Sequence, residues 1–410
     1  MEVKKVVSFK QARKLVMEKA VTLGQEIIKL DGAFGRIVAE DIHSKNPVPP
    51  FRNSAVDGYA VRSLDIKGQI GQVRLKLVAK QPAGDYYGKK IGRNQTVKVM
   101  TGAPVPPAAD AVVPVEEVEE KDGYVELKCQ VKSGENIREA GEDVKRGQLI
   151  IKKGTWLRTP HLGLLAACGF GKVRVYRRPR VTVLVTGNEL CRPGRTLRPG
   201  KIFDSNSTIL KALLETSGAE LVAIKKEKDN LKSLVEAIRT ASNLGEIIIT
   251  SGGISVGDFD LVNEAAKQIG GERVFWKVAQ KPAKPLAFYY LKRGGKPVWI
   301  FGLPGNPGAV MISFEEYVRP FIKKIQGCSD FWPEEIEATL TKAVKKKKGR
   351  LNFLRVRLEN QAGSWLATPL DKQESGMISS LTLTRGIALI PAEADYLAEG
   401  EKVIVHLIEW

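Results

Sequence analysis

The chain is poor in the residues that build metal knuckles and disulfide scaffolds. Its 410 residues include four cysteines (Cys129, Cys168, Cys191, Cys328), with no C-x-x-C pair, and three histidines (His43, His161, His406). That distribution argues against a zinc knuckle, a disulfide framework and a Cys/His protease. No run reaches the roughly 18 consecutive apolar residues that a membrane span needs. The N-terminal stretch lacks the uninterrupted apolar segment of a secretion signal, because Lys10, Arg13 and Lys14 cut it, so a cytoplasmic address and no membrane partner are expected. Aromatics are 7% of the chain, and none interleave with its densest basic run, Lys345–Lys348. Such a run before Gly349 reads as a solvated turn, and nucleic-acid binding is not expected.

Acid is also scarce relative to base. With 46 Asp+Glu against 65 Lys+Arg, the net charge is +19 and the pI is near 9.6, which favours anionic partners. Hydrophobic residues at 43% and charged residues at 27%, with a mean hydropathy of −0.16, describe a globular chain rather than a disordered one. At roughly 100–200 residues per domain, the length implies about two to four domains.

The rhythm of the sequence changes along the chain. Ser8-Phe9-Lys10-Gln11 forms a capping box that opens an amphipathic helix, with a second short helix expected after it. From Pro47 the texture becomes short β-rich runs broken by Gly and Pro. From Arg180, apolar strands such as VTVLVTG (181–187) and EIIITSGG (246–253) alternate with helical segments such as 206–218, 230–241 and 307–325. That alternation predicts a doubly wound α/β sheet with ligands at the carboxyl ends of its strands. After Gly327, short strands around Gly and Pro turns suggest a C-terminal β-barrel-like domain. The expected fold class is α/β plus β: an N-terminal segment over 1–46, an inserted β-rich domain over 47–144, a return segment over 145–179, an α/β domain over 180–327 and a C-terminal β-domain over 328–410.

Four loops combine glycine with a carboxylate or a small polar residue. Asp57-Gly58 by itself reads as a turn, and 136–143 places acids, Asp143 among them, in what can equally be a solvated loop. The third, TSGGISVGDFD (250–260), follows an apolar strand and precedes a helix, so the N–H groups around Gly252 and Gly253 and the hydroxyls of Ser251 and Ser255 can form an anion nest. It lacks both the Walker A and the dinucleotide glycine spacing. Asp258 and Asp260 beside an anion nest make sense if a divalent cation lies between them and a phosphate, a role that Mg²⁺ fills. The fourth loop, Leu303-Pro304-Gly305-Asn306-Pro307, is stiffened by two prolines. Upstream, Lys281-Pro282-Ala283-Lys284-Pro285 offers two point charges to a phosphate or oxyanion.

Taken in order, NSAVDGYAV (53–61), TGAPVPPAADAVVPVEE (101–117), ENIREAGEDVKRG (135–147), VTGNEL (185–190), FDSNS (203–207), TSGGISVGDFD (250–260), KPAKP (281–285) and LPGNP (303–307) resemble the molybdopterin molybdenumtransferase family, the MoeA proteins and the gephyrin E-domain. ESGMISSL (374–381) is a weaker echo. The resemblance implies a molybdopterin-binding α/β domain in a homodimer whose cleft lies between that domain and the partner's C-terminal β-domain. It implies transfer of molybdate, or tungstate, to adenylylated molybdopterin with release of AMP, assisted by Mg²⁺ or another divalent cation. The molybdopterin adenylyltransferase that supplies the substrate is an implied partner.

Carried onto this chain, the resemblance implies Asp57, Asp143, Glu189 and Asp260 as catalytic acids and Asp258, Asp260 and Glu189 as metal ligands. Substrate contacts would come from Thr101, Ser251, Gly252, Gly253, Ser255, Lys281, Lys284, Pro304, Gly305, Asn306 and Pro307, with Ser375 supplied by the second subunit. Four positions depart from the family: Val56 for Met, Asn188 for Asp, Ala283 for Gly and Arg385 for Asn. Asn188 removes a negative charge beside Glu189, and Ala283 calls for ordinary backbone angles. The alternative reading is a non-catalytic paralogue that binds or scaffolds molybdopterin.

Overall fold

The computed structural model describes residues 6–68, 73–253, 261–408 and 410. Its first helix, Phe9–Glu18, starts as the sequence requires. The Ser8 hydroxyl accepts the Gln11 N–H and the Gln11 side chain accepts the Ser8 N–H, each at 3.2 Å. The buried face, Phe9, Ala12, Val16 and Met17, joins the main core of the α/β domain. In place of the second short helix expected there is a strand and then a single 3-10 turn, Leu30–Gly32. Gln25–Lys29 is a strand paired antiparallel with Lys172–Tyr176, and Ile42–His43 pairs with Leu149–Ile151. The two chain segments flanking the insertion therefore build one unit around Val38, Leu157 and Val175. Local pattern could not show this, because the pairing partners lie on opposite sides of the insertion.

The insertion is a six-stranded sheet in the order Ala111–Pro114, Gly58–Val61, Gln95–Val99, Arg74–Gln81, Tyr124–Leu127, Val118–Lys121. Apolar side chains cover both its faces. The α/β domain is also six-stranded, in the order Glu220–Glu227, Arg180–Thr186, Ile247–Ser251, Lys296–Leu303, Ala287–Arg293, Glu272–Trp276. The first three pairings are parallel and the last two antiparallel. The chain leaves Arg180–Thr186 toward one edge and returns on its other side as Ile247–Ser251. The strand order thus reverses between these two strands, where an open α/β sheet leaves a crevice at its carboxyl ends.

The helix expected over 307–325 is interrupted: Pro307–Ser313 and Arg319–Ile325 flank a π-helical turn, Phe314–Val318. In the C-terminal region, Leu351–Gln361, Ser364–Pro369, Glu335–Leu340, Lys402–Leu407 and Gly386–Ile390 close into a five-stranded barrel. Closure removes the free sheet edges. Gln280–Lys281 runs parallel to Leu351–Asn352, tying the lysine loop to that barrel.

Within the inserted sheet, Glu120 accepts from Lys80 at 2.8 Å, Tyr59 Oη at 2.5 Å and Lys98 at 3.0 Å. These donors, Lys80 foremost, lower the carboxyl from 4.5 to about 2. A depressed carboxylate pKa adds stability that is present above the unfolded value and lost as the pH falls through the folded one. Urea midpoints of the wild type and Glu120→Gln should therefore differ at neutral pH and converge between pH 4.5 and about 2. A constant gap would show that the charge of Glu120 adds nothing.

Candidate active site

The crevice between the Arg180–Thr186 and Ile247–Ser251 strands encloses about 220 Å³ and is lined by Thr186, Glu189, Asn206, Asp229, Ser251, Gly252, Gly253, Gly305 and Asn306, among others. Gly252 and Gly253 hold φ of +88° and +67°. A Cβ at Gly252 would lie 2.5 Å from the Thr186 carbonyl oxygen, so only glycine lets this turn pack on the neighbouring strand end. Asn206, at the first turn of the Asn206–Thr216 helix, fastens the crevice together. Its amide nitrogen donates to Ser251 Oγ at 2.9 Å and to the Gly305 carbonyl at 2.7 Å. Asn206 Oδ1 and Thr186 Oγ1 are buried with no hydrogen-bond partner among the described residues. Buried polar atoms left unpaired are costly, and here they sit in residues that line a cavity able to admit a ligand. Opposite them, Asp229 accepts the Asn188 N–H at 3.2 Å, and Glu189 completes an acidic rim.

A second cavity, about 390 Å³, lies between the 281–285 loop and the C-terminal barrel. Among the described residues, Lys281, Lys284, Lys345 and Arg350 line it with a single acid, Glu374. Lys345 belongs to the basic run expected to be a solvated turn. Its neighbours instead close that turn, Lys346 donating to the Arg350 carbonyl at 3.1 Å and Lys348 pairing with Asp395 at 3.3 Å. The Pro304–Asn306 loop separates the two cavities: Gly305 faces the crevice, Pro304 the basic cavity, and Asn306 both.

Ser375, which the resemblance assigns to a second subunit, also stands at this wall within its own chain. Asn306 Nδ2 donates to Ser375 Oγ at 2.9 Å, and the Gly308 N–H donates to the Ser375 carbonyl at 2.8 Å. The 372–376 segment is held there by Arg355, which is 1% exposed and donates to the carbonyls of Lys372 at 2.6 Å and Glu374 at 3.0 Å. Gly308 makes this approach possible, since a Cβ would come within 2.7 Å of Arg355 Nη1.

Residues 7–169 match the MoeA N-terminal region (domain I and II), 182–324 the probable molybdopterin binding domain, and 337–408 the MoeA C-terminal region (domain IV). The chain belongs to the MoeA family. It is 34% identical over 405 residues to a molybdopterin molybdenumtransferase of Staphylococcus epidermidis, covering 98% of this chain and 96% of that protein. It is 35% identical over 400 residues to one of Haemophilus influenzae, covering 97% of each. The crystal structure of a molybdopterin biosynthesis MoeA protein from Pyrococcus horikoshii superposes with a TM-score of 0.80 at 34% identity, covering 99% of this chain and 100% of that one.

Of the expected site residues, the MoeA fold brings Glu189, Ser251, Gly252, Gly253, Gly305 and Asn306 to the crevice, and Lys281, Lys284, Pro304 and Ser375 to the basic cavity. Pro307 begins the helix behind Asn306. Asp57 and Thr101 meet in turns at one end of the inserted sheet, and exposed Asp143 stands on another loop; none of the three lines either cavity. Ser255, Asp258 and Asp260 lie outside the described residues. Thr186, Asn206 and Asp229 were not expected. Asn206 sits inside the FDSNS segment at a helix start, the one sequence signal that pointed to it.

The family departure at Ala283 has a structural consequence. Rather than adopting ordinary angles, Ala283 is buried at φ +63°, in the left-handed region that favours glycine. Ala283→Gly should raise unfolding free energy by roughly 0.5–1 kcal/mol, the left-handed cost of alanine less the greater chain entropy of glycine. Equilibrium urea unfolding measures it, and a loss of stability would rule the strain out.

Asp57 Oδ1 accepts the Thr101 N–H at 2.7 Å and its hydroxyl at 2.8 Å, and these bonds, the N–H first, hold the carboxyl below its ordinary range. Thr101→Val should raise the Asp57 pKa in a carbon-detected NMR titration, by removing the hydroxyl while keeping the N–H. An unchanged titration would assign the shift to the backbone alone.

Proposed function

We propose that this chain is the metal-inserting transferase of molybdenum-cofactor biosynthesis, taking adenylylated molybdopterin, releasing AMP and placing molybdate or tungstate on the dithiolene sulfurs. The observation that carries the proposal is the shared Pro304–Asn306 wall, which sets an acid-rimmed crevice directly beside a basic cavity. A substrate with a neutral ring system and a phosphoanhydride needs that pair of environments. Asn206 Oδ1 can only accept and so calls for an N–H or O–H of the ligand, which a pterin or a ribose supplies, while the Thr186 hydroxyl can donate or accept. On the other side of the wall, Lys281, Lys284, Lys345 and Arg350 suit phosphate and oxyanion oxygens.

Among the described residues no cluster of three His, Cys, Asp or Glu side chains forms a closed metal cage. Mg²⁺ does not need one, since it takes one or two carboxylates plus waters and phosphate oxygens. Glu189 and Asp229 on the crevice wall fit that donor set, and a divalent cation held there would neutralise charge on the part of the phosphoanhydride that crosses the Asn306 wall into the crevice. The residues themselves orient the substrate: the Asn206 amide fixes the Gly305 carbonyl, and the Gly252 turn keeps side chains out of the crevice floor. A homodimer, and an adenylyltransferase acting one step earlier on molybdopterin, belong to the same proposal.

Incubation with adenylylated molybdopterin and each oxyanion, following AMP by chromatography, tests the reaction; binding without AMP release would favour the scaffold reading. Glu189→Gln and Asp229→Asn should each slow AMP release by about 10²-fold, the scale of lost electrostatic stabilisation, with little change in melting. Turnover at the wild-type rate in both would remove them from the mechanism. Added salt should weaken molybdate affinity, because screening shortens to about 8 Å at 0.15 M ionic strength. Lys281→Ala with Lys284→Ala should flatten that dependence, and an unchanged salt slope would make the lysines bystanders.

A further inference from the structure

The 281–285 loop carries both lysines on a backbone that its own sequence does not favour. Ala283 holds φ +63° between them, and a non-glycine residue stays in that region only where its surroundings over-determine it. The restraint comes from Gln280, which is 0% exposed and lines the basic cavity. Its amide nitrogen donates to the Ala283 carbonyl at 3.1 Å, and its amide oxygen accepts from the Tyr317 hydroxyl.

Tyr317 is itself buried, in the π-helical turn, with its ring edge-on to Phe9 at 6.0 Å. Burial, with the charge of Glu316 behind it, pushes the phenol well above the ordinary tyrosine range. The hydroxyl is therefore a proton donor at every working pH. A donor on one side and a carbonyl on the other leave the Gln280 amide one orientation, its NH₂ toward Ala283. The loop is closed by Val278 N–H to Lys284 O at 2.9 Å and anchored to the barrel by Leu351 N–H to Ala279 O at 3.0 Å.

We infer that Gln280, oriented by Tyr317, is a positioning residue that keeps Lys281 and Lys284 on the wall of the basic cavity by holding Ala283 in its left-handed conformation. The inference rests on the reading of that cavity as the phosphate and oxyanion pocket. A glutamine buried only for stability would have no reason to spend its NH₂ on the one strained residue between two ligand-facing lysines. The interrupted helix finds a role here too, because the π-helical turn is the element from which Tyr317 reaches Gln280.

Isothermal titration of the full-length protein with molybdate tests this. Gln280→Leu, similar in volume but unable to hydrogen-bond, should weaken molybdate binding about tenfold as the lysines lose their placement. Tyr317→Phe keeps the ring packing and should cost about threefold, as expected for one lost hydrogen bond; it carries the test if Gln280→Leu does not fold. Adding Ala283→Gly to either variant should recover most of the affinity, because glycine holds a left-handed φ without help from the amide. Wild-type affinity in both single variants, or a loss that Ala283→Gly leaves untouched, overturns the inference. Wild-type affinity in the Lys281→Ala, Lys284→Ala double variant overturns the reading of the cavity itself, and Gln280 then positions nothing of consequence.

Discussion

The side-chain amide of Asn206 is the contact on which the crevice depends. It joins Ser251, 45 positions away, to Gly305, 99 positions away, and so fixes the ends of two parallel strands against the start of a helix. These loops emerge beside the point where the sheet reverses its strand order, where the ladder ends at the Gly252 N–H donating to the Leu303 carbonyl at 3.3 Å and Ser251 Oγ donates to the Pro304 carbonyl at 3.4 Å. The Asn206 amide adds the tie to the helix start, bonding through its nitrogen to both loops, while its oxygen has no protein partner among the described residues. The same residue that closes the architecture thereby leaves an unsatisfied acceptor in the crevice wall.

The electrostatics follow from where the wall stands. A net charge of +19 spread over a surface would steer anions without discriminating among them. The fold instead gathers four cations on one side of the Pro304–Asn306 loop and leaves Glu189 and Asp229 on the other. Two prolines stiffen that loop, Asn206 holds its Gly305 carbonyl, and Ser375 braces Asn306 from the barrel. The two sides of the loop thus differ in charge within a short distance, with Asn306 common to both.

The π-helical turn plays a comparable part inside the protein. Three successive buried side chains leave it in different directions: Glu315 to Arg319 at 2.7 Å, Glu316 to His406 at 2.8 Å, and Tyr317 to Gln280. Trp410 reaches back to Glu315 at 3.0 Å, and Arg13 is stacked 3.7 Å from the Trp332 ring nearby. A regular helix would present one of these three residues to a given neighbour. The wider turn lets the helix serve the C-terminal strand, the C-terminal tryptophan and the lysine loop at once.

By itself the sequence determined what depends on neighbours a few positions apart. The Ser8–Gln11 cap, the strand and helix alternation after Arg180, the glycine turn at 252–253 and the proline-flanked helix start at Asn306 all follow from short-range sterics and hydrogen bonding, and the ordered motifs were enough to point to the family. Tertiary structure decided the pairing of Gln25–Lys29 with Lys172–Tyr176, the place of Asn206 and Asp229 in the crevice, the approach of Ser375 to Asn306 within one chain, and the left-handed Ala283. Each of these is a contact between segments distant in sequence or, at Ala283, a backbone angle held by a nearby glutamine that a distant tyrosine orients. Composition and periodicity report which face a residue prefers to bury. They do not report which distant partner will be waiting there, because that is set by how the completed sheets close on one another.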